Sequence, residues 1–207
     1  MEIAVLASGA GTNLQALLDD PVVGRHVALV VSDREDAGAL ERARSAGVRA
    51  VHLDPRAHPS RESHDLALRD LLAEAGIDVV CLAGYMRILT PGVVRPFWGR
   101  MVNVHPSLLP AFPGARAVQE ALAWGVKVTG VTVHLVDEEV DHGPILAQEA
   151  VPVHDGDDHV SLHARIQEVE HRLYPAVVRL FIEDRVRLQG RTVRIVDPAG
   201  ARLRAKP

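Results

Sequence analysis

The sequence predicts a doubly wound α/β domain, a Rossmann-like arrangement with a mostly parallel sheet and antiparallel strands in its C-terminal half. Three observations carry that prediction. Short apolar runs alternate with helical patterns through the first half. Those runs are apolar on both faces, as strands of a sheet covered on both sides must be. The second half instead holds two longer runs joined by one acidic loop, the pattern of an antiparallel pair.

The first strand is expected at residues 3–7, leading through Ser8-Gly9-Ala10-Gly11 into a helix over 13–19. Strands follow at 27–31, 49–53, 79–83 and 101–104, with helices at about 38–46 and 62–75 between them. In the last of these helices Leu66, Leu68, Leu71, Leu72 and Ala75 follow a helical period. The longer strands are expected at 126–136 and 144–153, joined by Asp137-Glu138-Glu139-Val140-Asp141-His142-Gly143. A long helix over about 159–183 comes next, broken only at Pro175, and 186–196 reads as a small hairpin around Gln189-Gly190. No repeat, low-complexity stretch or linker divides the chain, so a single domain is expected over residues 1–207.

Composition narrows the function. With 207 residues, 47% of them hydrophobic and 24% charged, the chain can build one full core. A net charge of −4 leaves no basic footprint, so no nucleic-acid partner is expected. The single cysteine, Cys81, sits in an apolar run and reads as a packed thiol. The chain opens with a strand-length run lacking a basic flank, so no membrane partner and a cytoplasmic location are expected.

The richest segment is Met101-Val102-Asn103-Val104-His105-Pro106-Ser107-Leu108-Leu109-Pro110. Side chains two apart on a strand point the same way, so Asn103 and His105 emerge together where the strand ends. An amide donor beside an imidazole suits a developing oxyanion; alone, the pair could equally cap the backbone. Ser107 is the only nucleophile nearby, and no second base is evident for it. Asp141, in the acidic loop, reads either as part of a solvated turn or as a carboxylate set against His105. In the second case it would favour the charged imidazole, raise its pKa and help relay a proton. Asn103, His105 and Asp141 would then serve acyl transfer to an external nucleophile.

The turn Ser8-Gly9-Ala10-Gly11-Thr12-Asn13-Leu14-Gln15 frees backbone N–H groups at a helix start, where an anion is favoured. Gly9 and Gly11 begin a dinucleotide fingerprint, and Asp33 stands near the expected ribose acid, but Leu14 replaces the third glycine and argues against it. A plain tight turn and a small phosphate monoester on Gly11, Thr12 and Asn13 remain the two other readings. His159 and His163 have the spacing of a metal pair on a helix, but no third ligand accompanies them.

In these segments the chain resembles the phosphoribosylglycinamide formyltransferases, folate-dependent enzymes of purine synthesis. The resemblance covers nearly the whole chain. It rests on the glycine turn, on Leu82-Ala83-Gly84-Tyr85-Met86-Arg87-Ile88-Leu89, on Asn103 to Pro110, and on Thr132-Val133-His134-Leu135-Val136 through Asp141-His142-Gly143-Pro144-Ile145-Leu146. It implies two small-molecule substrates, glycinamide ribonucleotide and the co-substrate 10-formyltetrahydrofolate, with no metal.

By the same resemblance Gly11, Thr12 and Asn13 would take the ribonucleotide phosphate, and Gln167 and Glu170 would contact substrate, with Glu170 on the ribose hydroxyls. Met86, Arg87, Ile88 and Leu89 would line the pterin pocket, with Arg61 and Asn103 also on the folate. Asn103 and His105 would be the catalytic amide and acid, and Asp141 the group that raises the histidine pKa. Residues 1–100 would form the phosphate-binding half and 101–207 the catalytic and folate-binding half. Two positions depart from the pattern: Arg116 stands where histidine is frequent, and His142 where a small residue is common. A monomer and a homodimer are both compatible with the sequence. The rival readings are a hydrolase of the same folate and a non-catalytic folate or nucleotide-phosphate sensor.

Overall fold

In the computed structural model, which describes residues 1–197, strand β1 (Ile3–Leu6) is buried along its whole length. β2 (Val27–Ser32) and β3 (Arg49–His52) lie to one side of it; β4 (Val79–Leu82) and β5 (Met101–His105) lie to the other, all parallel. β6 (Val128–Leu135) and β7 (Ile145–Pro152) extend the sheet antiparallel beyond β5, giving the order β3-β2-β1-β4-β5-β6-β7. The chain leaves β1 in one direction and returns to β4 on its other side. The crevice at this switch point, outside the carboxyl ends of the strands, is where such sheets bind ligands.

Among the described residues six α-helices accompany the sheet: α1 (Thr12–Asp19), α2 (Gly38–Ser45), α3 (Arg61–Glu74), α4 (Pro91–Val94), α5 (Ala117–Trp124) and α6 (His159–Ile182). α1, α2, α5 and α6 cover one face, where Leu14, Leu17, Ala43, Val118, Leu162 and Ile166 pack on Val5, Val30 and Val102. α3 and α4 cover the other, with Leu68, Leu72, Val93 and Val94 on Leu6, Val80 and Met101. α6 starts at a reciprocal cap: Asp158 accepts from Ser161 N–H (2.8 Å), and Ser161 Oγ accepts from Asp158 N–H (3.0 Å). A hairpin of β8 (Val186–Gln189) and β9 (Thr192–Ile195) follows. One continuous sheet joins residues 1–100 to the rest through the β4–β5 pair. Residues 198–207 of the expected domain lie outside the described residues.

The structure departs from the sequence expectation in four places, one of them the short helix α4, which was not expected. β5 continues through His105, because that residue pairs with Thr132 of β6. α6 runs straight through Pro175, which packs as a buried residue instead of ending the helix. The missing N–H removes one helical bond, and the packing around the ring compensates. α5 was not expected at all. Its eight residues follow a proline- and glycine-containing loop, and its apolar stripe is short: Ala117, Val118 and Ala121 are buried and Leu122 packs beside them.

Tyr174, fully buried on α6, ties the helix to the middle of the sheet: its hydroxyl faces the carbonyls of Leu82 and Val102, each at 3.0 Å. Tyr174→Phe is expected to lower stability by about 1 kcal/mol, a fall in Tm of roughly 2–4 °C, measured by thermal denaturation. An unchanged Tm would mean that these carbonyls lose nothing with the hydroxyl. Cys81 lies in the same core, and burial pushes its thiol up to about 12, which leaves it protonated and inert.

Candidate active site

β5 delivers Asn103 and His105 to the carboxyl edge of the sheet on one face, and β6 lays His134 and Thr132 directly opposite them. His134 Nδ1 is 2.8 Å from the Leu135 carbonyl, which can only accept, so the neutral ring presents Nε2 as an acceptor. Asn103 Nδ2 donates to that nitrogen at 3.1 Å, which sets the orientation of the amide. Its second hydrogen points at Asp141 Oδ1 across 3.4 Å, a weak contact that leaves this N–H available to a stronger acceptor. His134 thus sets the orientation of the Asn103 amide. The sequence signal was its register opposite Asn103, which becomes visible only once the β5–β6 pairing is known.

Asp141 reaches this pair from the β6–β7 loop. Its backbone takes φ 52°, a left-handed conformation that aspartate tolerates better than most residues. Its carboxylate lies 3.3 Å from His105 Nδ1 and 3.6 Å from His134 Nε2, and it accepts the Gly114 N–H at 2.7 Å. The loop is drawn tight behind it: a Cβ at Gly143 would lie 1.8 Å from the Leu135 carbonyl oxygen. Arg95 pairs with Glu138, and Arg191 of the hairpin donates to the His142 carbonyl, holding the loop from both ends. The His142 ring turns to Asp137 (2.8 Å), and Arg116 is exposed just before α5.

The charge balance corrects one expectation. Burial draws His105 toward its neutral form and outweighs the opposite pull of Asp141 and of the Phe112 carbonyl, 2.8 Å from Nε2. The imidazole therefore sits below its ordinary pKa, although Asp141 acts in the expected direction. Burial also pushes Asp141 up, but the His134 ring whenever it carries a second proton, His105 and the Gly114 N–H prevail and hold its carboxyl below the usual range. Both nitrogens of His105 thus face groups that only accept, and a second proton on the ring has a partner ready. Ser107 is taken up structurally: its buried hydroxyl donates to the Ala111 carbonyl at 2.5 Å, bracing the loop that carries Phe112.

The glycine turn sits at the carboxyl end of β1, with Gly11 immediately before α1 at φ 75°. A Cβ there would come within 2.7 Å of Ala39 Cα, so both the conformation and the space require glycine. α6 packs beside this turn. Asn13 Nδ2 donates to Glu170 Oε2 at 2.9 Å, and Gln167 Nε2 lies 3.5 Å from the Thr12 hydroxyl. Leu14, where a dinucleotide fingerprint has its third glycine, is buried in the core.

Met86 and Ile88 stand 63% and 55% exposed at the carboxyl end of β4, while Leu89 is buried. Arg61 is exposed at the first turn of α3, whose N-cap is Ser60. Among the described residues no group of three or more His, Cys, Asp or Glu side chains is placed to hold a metal ion. His159 and His163 do stack on α6, with ring centroids 5.3 Å apart.

Burial raises the Glu170 carboxyl pKa, against the lowering effect of the Asn13 bond. A carboxyl raised in the folded state makes stability fall as pH rises through the window from its ordinary value up to the raised one. Glu170→Gln removes that penalty and keeps an acceptor for Asn13. The variant is expected to melt higher at pH 7, by roughly 2–4 °C per kcal/mol removed, and to lose its advantage below the ordinary carboxylate range. Equal melting temperatures at pH 7 would contradict the raised pKa.

A polar cluster at the end of β5, an anion-ready turn at the end of β1 and an exposed apolar segment at the end of β4 share one sheet edge, and that is the layout of a group-transfer enzyme. The formyl transferase family model matches residues 1–178, and the chain belongs to this family. It is 49% identical to phosphoribosylglycinamide formyltransferase of Mycobacterium tuberculosis (strain H37Rv), over 92% of this chain and 89% of that protein. The crystal structure of glycinamide ribonucleotide transformylase 1 from Symbiobacterium toebii superposes with a TM-score of 0.92 at 55% identity, covering 95% and 94% of the two chains. The chain is also 43% identical over 90% of its length to the trifunctional purine biosynthetic protein adenosine-3 of Bos taurus, but spans only 19% of that protein. Among the described residues no helix is long and apolar enough to cross a membrane.

Proposed function

We propose that the chain transfers the formyl group of 10-formyltetrahydrofolate to the amine of glycinamide ribonucleotide, in the cytoplasm and without a metal. The observation that carries this reading is the cluster of Asn103, His105 and Asp141 at the sheet edge that also carries the glycine turn and the Met86–Leu89 segment. The ribonucleotide phosphate is assigned to Gly11, Thr12 and Asn13, and its ribose to Glu170 with Gln167 alongside. The folate is assigned to Met86, Arg87, Ile88 and Leu89, with Arg61 and Asn103.

The amine lone pair forms a bond to the formyl carbon, and the carbonyl electrons move onto oxygen. The loosely held N–H of Asn103 meets that oxyanion, and a second proton on His105, held between Asp141 and the Phe112 carbonyl, sets a positive charge beside it. A ring held below its ordinary pKa takes this proton when new negative charge arrives beside it and then releases it readily. Asp141 keeps the ring oriented and receives the proton shed by the amine. The oxyanion electrons then re-form the carbonyl, the bond from carbon to N10 breaks with its electron pair leaving on N10, and Asp141 passes N10 the proton it took from the amine, so that tetrahydrofolate departs.

The test is one incubation with 10-formyltetrahydrofolate, with and without glycinamide ribonucleotide, reading formylated ribonucleotide and free formate. Formyl ribonucleotide formed only when the amine is present supports the transferase. Formate released regardless of the amine would make the chain a hydrolase, and no product at all would leave a sensor.

A further inference from the structure

Ser8, the buried second residue beyond β1, is bonded on two sides of the switch-point crevice. Its main-chain N–H donates to the Gly84 carbonyl at 3.1 Å. Its hydroxyl accepts from the Met86 N–H at 2.9 Å and donates to Asp33 Oδ1 at 2.5 Å. A hydroxyl has one proton and two lone pairs. Committing the proton to Asp33 turns a lone pair toward Met86, and a carboxylate acceptor makes the anchoring bond a strong one. Asp33 directly follows β2, so the ends of β1, β2 and β4 are tied together by one side chain. Asp33, which a dinucleotide fingerprint would set on a ribose, is used for this purpose instead.

The placement has a consequence for the segment that Met86 opens. Met86 and Ile88 are mostly exposed, so little packing holds their backbone. The segment is pinned at its far end, where Asp65 Oδ2 accepts the Thr90 N–H at 2.6 Å, and at its near end by Ser8. Ser8 is also the residue from which the Gly9–Asn13 turn departs. We infer that Ser8, oriented by Asp33, is a positioning residue that holds the folate-facing backbone of Met86–Leu89 from the same point that anchors the phosphate turn. The folate part of this inference rests on the proposed function.

The test compares Ser8→Ala with the unaltered protein in three measurements: amide hydrogen exchange at Met86, calorimetric affinity for tetrahydrofolate, and calorimetric affinity for inorganic phosphate. The expected result is faster exchange at Met86, about tenfold weaker tetrahydrofolate binding and phosphate binding within about twofold of the original. Unchanged exchange overturns the inference. So does faster exchange with unchanged tetrahydrofolate affinity, or a parallel loss of both ligands, which marks a merely structural residue. If Ser8→Ala does not fold, Asp33→Ala and Asp33→Asn decide. The asparagine keeps an acceptor for the hydroxyl and is expected to weaken tetrahydrofolate binding less, and equal losses overturn the inference. If the unaltered protein binds no tetrahydrofolate, the functional reading fails, while exchange at Met86 still decides whether Ser8 holds the segment.

Discussion

Replacing Asp141 by asparagine is expected to lower kcat by roughly 10²–10⁴-fold while the chain keeps its fold. The substitution preserves the size of the side chain and, through Oδ1, an acceptor for the Gly114 N–H. What it removes is the negative charge 3.3 Å from His105 Nδ1. Burial then acts on the ring without that opposition, and His105 falls further below its ordinary pKa. If turnover needs the second proton on His105, the rate falls as pH rises through the ring's pKa, and in the variant that fall comes at lower pH. The acid limb moves as well. Asp141 is held below the usual carboxylate range, so the original enzyme keeps an ionised carboxylate well into acid, and the variant has no such group to titrate. The measurement is kcat against pH for both proteins, with circular dichroism to establish the fold. Near-original turnover, or an unmoved pH profile, would falsify the role given to Asp141.

Asn103→Ala should cut kcat by about 10²–10³, the usual loss of about 2.7–4 kcal/mol on removing one oxyanion donor. The effect should fall on kcat more than on KM, because the loosely held N–H gains its partner only as the oxyanion forms. The other hydrogen of the amide is committed to His134 at 3.1 Å. His134→Leu frees the amide to rotate and is expected to reproduce part of the loss without removing the donor. Single-turnover rates separate chemistry from product release. A single-turnover rate equal to that of the unaltered protein would remove Asn103 from the mechanism.

Much of this architecture was legible in the amino-acid order. The runs of β1, β2 and β4 are apolar at every position or nearly so, and a strand with that pattern has to be covered on both faces. The placement of Asn103 and His105 on one face follows from the two-residue period of a strand. α5 was not legible, since an apolar stripe of under two turns next to a proline- and glycine-containing loop carries too little periodicity to separate helix from turn. Pro175 misled for the opposite reason: its local preference is to break a helix, and long-range burial overrode it.

The site divides in the same way. Local order determined which side chains end each strand, because backbone period and turn chemistry act over a few residues. It also placed glycine where Gly11 takes a positive φ. Only the tertiary structure decided that Asn103 meets Asp141, 38 residues away, and that Asn13 meets Glu170, 157 residues away. It decided the charge preference of His105 too. Sequence can pair a carboxylate with an imidazole, but whether the pair raises or lowers the ring's pKa depends on how deeply β5 and β6 bury it, and burial depth is a property of the assembled sheet.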